Sequence, residues 1–224
     1  MKIHTSETLA TMTPQKALQF LKEGNLRFVR NLKLNRNLLD QVQYYRHSQH
    51  PFAIVLSCMD SRTSAELIFD QGLGDIFSLR IAGNILNDDI IGSMEYACSV
   101  VGSKLIMILG HSKCGASQGA CAGKKVGKLT QLLDKLQVSI DEVQQELPAH
   151  RKTDPEFVEA VTQHNIHHSM DEILTRSTVL KDLYDQGKIG LVAAYHHLDT
   201  GEVEFLFEDM PKEKEDELIA ECAY

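Results

Sequence analysis

The sequence predicts an α/β fold with a mostly parallel central β-sheet flanked by helices. Residues 52–56 and 105–109 are short, wholly apolar runs bounded by turn residues, which is typical of strands buried on both faces of a parallel sheet. The segments between such runs have helical patterns. Strands that alternate with helices indicate βαβ units with right-handed crossovers.

The remaining elements follow from capping residues and periodicity. Thr13 and Pro14 form a helix start, and they open a long N-terminal helical arm at about 13–40. Two apolar segments separated by the turn residues Asp199-Thr200-Gly201 predict a C-terminal hairpin. The predicted strands are 52–58, 76–81, 104–109, 189–195 and 203–207, and the other predicted helices are 64–69, 89–101, 128–147, 154–174 and 177–184.

The length of 224 residues predicts a single domain, 1–224, with an acidic C-terminal tail at about 210–224. The net charge of −8 and the lack of a Lys/Arg block argue against a nucleic-acid partner. No apolar stretch approaches the roughly 20 residues that span a bilayer, so we expect no membrane partner. The printed start lacks a hydrophobic signal segment, and the five cysteines lack a disulfide-framework spacing. We therefore expect a cytoplasmic protein.

Metal-ligating residues follow the two apolar runs. Cys58 comes directly after the first strand, and His111 and Cys114 come after the third. Open α/β sheets bind ligands where parallel strands end. Two thiolates and an imidazole suit Zn²⁺, and three protein ligands leave the fourth position open, as in catalytic zinc sites. Asp60 is the candidate residue that acts at this open position.

These blocks closely resemble the β-class carbonic anhydrases, whose signature is Cys-x-Asp-x-Arg followed downstream by His-x-x-Cys. Here the two parts are Cys58-Met59-Asp60-Ser61-Arg62 and His111-Ser112-Lys113-Cys114. The resemblance continues through residues 74–84, 93–97, 175–180 and 201–205 and covers about 49–207. It implies the α/β fold of that family and a Zn²⁺ cofactor.

The resemblance also implies an activity, the reversible hydration of carbon dioxide to bicarbonate and a proton. Zinc-bound hydroxide would be the nucleophile, and a catalytic dyad of Asp60 and Arg62 would orient it. Arg62 can hold the carboxylate of Asp60 by a charge-assisted, bidentate contact. Without that contact, Asp60 can itself become the fourth zinc ligand and close the site.

Three further residues match positions that bind the substrate in the family, and Gly115 follows the last predicted ligand. Gln49 would donate a hydrogen bond to a bicarbonate oxygen, and Phe77 and Tyr96 would form an apolar wall suited to carbon dioxide. Gly115 would let backbone approach the metal-bound oxygen. The resemblance implies that some of these residues come from a neighbouring chain, so we expect a homodimer or higher homo-oligomer with the active site at the subunit interface.

Two other functions remain open at this point. The same zinc scaffold suits a hydrolase of a related heterocumulene such as carbon disulfide. A module of another class would bind zinc or sense bicarbonate without turnover, although the presence of both Asp60 and Arg62 argues against it.

Five of the nine histidines outside the signature lie close together in the sequence, as one group of three and one pair. His164, His167 and His168 fit a solvated helix face better than a metal site. His196 and His197 fit strand packing, with proton transfer by one of them as the alternative.

Overall fold

A computed structural model describes residues 4–211 of the chain. The first three residues and the predicted acidic tail from residue 212 onward lie outside the described residues. The assignment of the whole chain to one domain stays a prediction. None of the helices in the described range has the length and apolar character that a bilayer crossing requires.

The centre of the structure is a five-stranded sheet with the order β2-β1-β3-β4-β5. The first four strands are parallel, and β5 pairs antiparallel with β4 as a hairpin. The predicted mostly parallel α/β fold with a C-terminal hairpin is therefore confirmed. The strands are β1 Ala53–Ser57, β2 Ile76–Arg80, β3 Leu105–His111, β4 Gly190–His196 and β5 Val203–Asp209.

The helices of the described range surround this sheet. They are α1 Ser6–Ala10, α2 Pro14–Val29, α3 Leu38–Tyr44, α4 Ala65–Ile68, α5 Asp88–Glu95, α6 Gly115–Cys121, α7 Gly127–Leu133, α8 Gln137–Glu146, α9 Pro155–Arg176 and α10 Thr178–Asp185. The start of α2 follows the expected chemistry, because the Thr13 side chain accepts a hydrogen bond from the N–H of Lys16 and Pro14 is the first helical residue.

Three predicted helical segments are interrupted. The N-terminal arm expected at about 13–40 is helical over Pro14–Val29, and the next helix begins at Leu38. The helix expected over 89–101 is α-helical only to Glu95 and continues as a π-helical turn over Tyr96–Val101. The helix expected over 128–147 is divided into α7 and α8 by a 3₁₀ turn at Asp134–Leu136. Periodicity alone does not distinguish these closely related backbone turns.

Apolar side chains cover both faces of the sheet. On one face α2 and α4 pack against the strands through residues that include Leu18, Leu21 and Phe69. On the other face α5, α9 and α10 contribute residues that include Met94 and Ile166. All residues of β1, β3 and β4 are buried, which explains why these strands lack polar alternation.

A charged cluster attaches the end of α2 and the following segment to this core. Asp70 is only 4% exposed, and its carboxylate accepts hydrogen bonds from Arg27 Nε at 2.6 Å and Arg36 Nη1 at 2.5 Å. Burial opposes ionisation of Asp70, but the hydrogen bonds from both arginines outweigh it and hold the pKa of this carboxyl below its usual value. The ion pairs therefore connect segments that are 34 and 43 residues apart.

We expect Asp70→Asn to lower the free energy of unfolding by about 2–4 kcal/mol, because it leaves two largely buried arginines without their partner. A folded-state pKa below the unfolded value means that Asp70 stabilises the fold above the unfolded pKa and ceases to do so as the pH falls through the folded pKa. Urea unfolding at neutral and acidic pH measures both effects. Asp134→Asn, at an exposed ion pair with Lys125, is the control. An equal, small effect of both substitutions would contradict the prediction.

Candidate metal centre and active site

The sheet brings the three predicted metal ligands together. Cys58 directly follows β1, His111 ends β3, and Cys114 is the N-cap of α6. Since β1 and β3 are parallel neighbours, their carboxyl ends lie side by side. The ligand atoms of the three residues all lie within 4.8 Å of one another, and the residues are between 1% and 4% exposed. Within residues 4–211 this is the one group of three or more His, Cys, Asp and Glu residues with such spacing.

The donor atoms of this cluster fit Zn²⁺. His111 Nδ1 lies 2.9 Å from the carbonyl oxygen of Ser112. A carbonyl oxygen only accepts, so Nδ1 carries the proton and the lone pair of Nε2 is free. Nε2 is buried and has no hydrogen-bond partner in the structure. A histidine ligand of zinc is commonly oriented by such a bond from its other nitrogen. Together with two sulfur atoms, Nε2 completes three of four tetrahedral positions.

The two thiols shift each other's pKa in opposite directions. Hydrogen bonding with the Cys114 side chain, together with burial, raises the pKa of Cys58 to about 12. Hydrogen bonding with the Cys58 side chain lowers the pKa of Cys114 to about 6 against the effect of burial, with help from the backbone N–H groups of Ser117 and Ala116. A divalent cation bound by both sulfur atoms would displace the thiol protons.

Asp60 and Arg62 form a bidentate ion pair next to this cluster. Arg62 Nε donates to Asp60 Oδ1 at 2.9 Å and Nη2 to Oδ2 at 2.8 Å, while the Arg62 backbone N–H also donates to Oδ1 at 3.0 Å. The hydrogen bonds from Arg62 hold the pKa of Asp60 well below its usual range, although partial burial opposes this. The carboxylate is ionised, and both of its oxygens face Arg62.

The backbone of the turn that carries Cys58 and Asp60 is also fixed. Thr63 Oγ1 donates to the carbonyl oxygens of Cys58 at 3.2 Å and Asp60 at 3.1 Å. Arg80, at the end of β2, reaches the same two oxygens through Nε at 3.3 Å and Nη2 at 2.5 Å. Both side chains stabilise the turn through its carbonyl groups, so Cys58 and Asp60 keep a fixed separation.

A glycine supports the first cysteine from the other side. The backbone N–H of Gly83 donates to Cys58 Sγ at 3.3 Å. Gly83 has a φ of +68°, and a Cβ atom here would lie 3.1 Å from the Cβ of Ala116. Both the backbone conformation and the close approach favour glycine.

The predicted substrate-binding residues do not gather around the metal ligands within one chain. Phe77 and Tyr96 line the same cavity of about 540 Å³, with ring centroids 6.5 Å apart. Gln49 lies in another cavity of about 450 Å³. Cys58 is among the lining residues of neither. Gly115, by contrast, directly follows Cys114, and outside its chain neighbours and its own helix backbone no atom of the described residues lies within 4 Å of the position where its Cβ would be.

The histidines outside the signature have different surroundings. His196 is 3% exposed and pairs in register with His111 across β3 and β4. Burial lowers the pKa of His196 to about 4, with a smaller contribution from His111, so this imidazole is neutral at pH 7. His197 Nε2 lies 3.1 Å from Glu204.

On α9, the three histidines lie apart from the metal ligands. His164 Nε2 lies 2.7 Å from a carboxylate oxygen of Glu142, and its ring stacks on that of His168. His167 is exposed. None of the three belongs to the metal-binding group of the described residues.

Sequence reasoning missed Thr63, Gly83 and Asn165. The Asn165 amide, which lies on α9, donates to the carbonyl oxygen of Gly83 at 3.1 Å. Thr63 could have been found from the sequence, because a threonine three residues after Asp60 can donate to the carbonyl oxygens of the same turn. No local signal identifies Asn165, because the contact joins residues 82 positions apart.

Comparison with known proteins agrees with this site. The sequence profile of the family described as "Carbonic anhydrase" matches residues 53–203. The chain is 33% identical over 189 residues to "Carbonic anhydrase 2" of Mycobacterium tuberculosis, which covers 84% of this chain and 90% of the relative. It is 31% identical over 192 residues to the carbonic anhydrase of Mycolicibacterium smegmatis, covering 85% and 92%.

The fold agrees as well. Two β-carbonic anhydrases of Sordaria macrospora are described as tetrameric, and the structure matches with a TM-score of 0.67 at 25% identity, covering 73% of this chain and 84% of the other. The resemblance found in the sequence is thus confirmed. Because the family profile matches residues 53–203, well over half of the chain, the chain belongs to the β-carbonic anhydrase family of enzymes.

Proposed function

We propose that this protein catalyses the zinc-dependent, reversible hydration of carbon dioxide to bicarbonate and a proton. The observation that carries the proposal is the buried group of Cys58, His111 and Cys114 beside the Asp60–Arg62 ion pair. When bound by these three ligands, Zn²⁺ supplies a Lewis acid with an open fourth position.

Asp60 accepts a hydrogen bond from the reacting water and orients it toward carbon dioxide. An ionised carboxylate suits this function because it accepts without donating. Arg62 holds both oxygens of Asp60 and so keeps the carboxylate from taking the open metal position. Arg62 also neutralises a charge that would otherwise face two metal-bound sulfur atoms.

The substrate pocket is completed by a second copy of the chain. Phe77 and Tyr96 lie together in a cavity away from the ligands, and Tyr96 is 51% exposed. In a homodimer, these rings would form the apolar wall for carbon dioxide, and Gln49 would donate to a bicarbonate oxygen. Gly115 leaves open space beside Cys114 for the bound oxygen atoms. The likeness to enzymes described as tetrameric supports an oligomer.

We also propose that the enzyme works in the cytoplasm. Two of its metal ligands are thiols, and the four cysteines of the described residues are all free. A reducing compartment keeps such thiols available for metal.

The metal assignment predicts about one zinc per chain in the purified protein. Cys58→Ser and Cys114→Ser should each lose most of it, because serine oxygen is a far poorer zinc ligand than thiolate. Elemental analysis after dialysis against a weak chelator measures the loss. Cys98→Ser, at a buried cysteine outside the cluster, is the matched control and should keep its zinc. Full retention in both ligand variants would refute the assignment.

The Asp60–Arg62 assignment predicts that Asp60→Asn and Arg62→Ala each lower the hydration rate about 100-fold, the size expected when a positioned acid–base group is lost. Both variants should keep zinc. Stopped-flow measurement of carbon dioxide hydration tests this.

Arg151→Ala, at an exposed Arg–Asp pair, is the control and should match the parent. Two results would contradict the proposal: variants as active as the parent, or a zinc-loaded parent that is inactive on carbon dioxide. A parent protein that hydrolyses carbon disulfide but does not hydrate carbon dioxide would show that carbon disulfide is the substrate. A parent protein that is inactive on both compounds would favour a zinc-binding or bicarbonate-sensing module without turnover.

The shared pocket predicts a protein that is at least dimeric at micromolar concentration. Gln49→Ala should lower hydration activity without releasing zinc, because it removes a donor to the substrate and leaves the metal ligands intact. Light scattering and stopped-flow kinetics on the same samples provide the test. A fully active monomer would rule out the shared site.

A further inference from the structure

The two cysteine sulfurs receive hydrogen bonds from different parts of the backbone. Cys114 is the N-cap of α6, where the backbone N–H groups of Ser117 and Ala116 help to lower the pKa of its thiol. Cys58 lies on a turn after β1, and its backbone donor is the N–H of Gly83, 25 positions away. The bond to Cys58 therefore depends on what holds Gly83 in place.

Gly83 lies in a short 3₁₀ turn, Ala82–Asn84, with a left-handed backbone conformation. Leu136 Cδ1 and Ile85 Cγ2 would lie only 3.6–3.7 Å from a Cβ at this position. The peptide group between Gly83 and Asn84 is held by one backbone hydrogen bond, from the Asn84 N–H to the Ile81 carbonyl oxygen at 2.9 Å. The Gly83 carbonyl oxygen of the same peptide group can accept a second directional contact.

Asn165 provides the directional contact. Its side-chain Nδ2 donates to the carbonyl oxygen of Gly83 at 3.1 Å, and the residue is only 5% exposed. The amide orientation is determined, because a carbonyl oxygen accepts and only the Nδ2 group of the amide donates.

The position of Asn165 is itself fixed by helix packing. The next residue, Ile166, lies so close to β3 that a Cβ on Gly110 would come within 2.4 Å of Ile166 Cδ1. Thr162 Cγ2, one turn earlier, would lie 3.7 Å from the same Cβ position. Helix α9 thus lies directly on the strand that ends at His111.

We propose that Asn165 is a positioning residue for the metal centre: it holds Gly83 so that the Gly83 N–H donates to Cys58 Sγ. The inference deepens the proposed function, on which it rests. A hydrogen bond to a thiolate withdraws electron density from sulfur, so the sulfur donates less charge to a bound metal. With two thiolate ligands, this bond preserves the Lewis acidity that a site of this composition otherwise loses.

The first test uses protein in which Co²⁺ replaces zinc. Asn165→Asp keeps the shape of the side chain but removes the donor, and Asn165→Ala removes the contact without adding a charge. In both variants the sulfur-to-cobalt charge-transfer band should move to lower energy, because a thiolate without its hydrogen bond gives up an electron more easily. Zinc affinity should fall about 10-fold, at the lower end of the range for residues that support metal ligands.

His167→Ala, at an exposed position on the same helix, is the matched control and should leave both the band and the zinc affinity unchanged. A role limited to folding would lower the unfolding midpoint without moving the band. An unshifted band in folded Asn165 variants would overturn the proposal. A shifted band in a protein inactive on carbon dioxide would support the positioning role and reject the proposed function.

The second test needs no substitution. In the parent protein loaded with ¹¹³Cd²⁺, the amide proton of Gly83 should show scalar coupling to cadmium through the hydrogen bond to Cys58 Sγ. The amide protons of Ala116 and Ser117, in the first turn of the helix that Cys114 caps, provide an internal comparison. Coupling at these two protons without coupling at Gly83 would overturn the proposal even if neither Asn165 variant folds.

Discussion

The parallel pairing of β1 with β3 is the constraint on which the site depends. Ser57 lies opposite Leu109, so the chain leaves both strands at one edge of the sheet, where Cys58, His111 and Cys114 follow. Neither strand has a polar residue exposed to water, and both are covered by helices on each face. A shift of this register by one residue would exchange side chains between the two apolar layers, each of which is packed from different residues. Core packing therefore also determines the geometry of the metal ligands.

Burial of the ligand atoms creates an electrostatic requirement that a cation satisfies. Two buried thiols and an imidazole lie within 4.8 Å of one another, and His111 Nε2 has no hydrogen-bond partner in the structure. Buried groups of this kind are costly unless they are paired or bind a metal. The Asp60 carboxylate does not need a metal to balance its charge, because Arg62 donates hydrogen bonds to both of its oxygens. The cluster of Cys58, His111 and Cys114 is therefore the group that a metal cation would stabilise, whereas the Asp60 carboxylate is already paired with Arg62.

Local sequence predicted the strands well, and it identified the three residues that the structure brings together, because each depends on a few consecutive residues. Apolar runs indicated β1 and β3, and the residues just after them carried the signature. The breaks at Tyr96 and Asp134 were not predicted, since π-helical and 3₁₀ turns keep nearly the same apolar pattern as an α-helix. The contact of Asn165 with Gly83 was also missed, because it arises only when α9 packs on β3.

Phe77 and Tyr96 lie away from the metal ligands within one chain, so folding of a single chain does not bring the predicted pocket together. Their cavity is formed by β2 and α5, and the metal ligands lie at the ends of β1 and β3. Exposed apolar residues on α3, including Leu38, Leu39 and Val42, add to the surface that one chain leaves uncovered. Burial of such residues favours association. If the same association brings the aromatic wall to the metal of another copy, then activity depends on the free energy of association between the chains. A single folded chain would then be enough to place the metal ligands, while the substrate pocket would form only in the oligomer. The fraction of complete pockets would therefore rise with protein concentration.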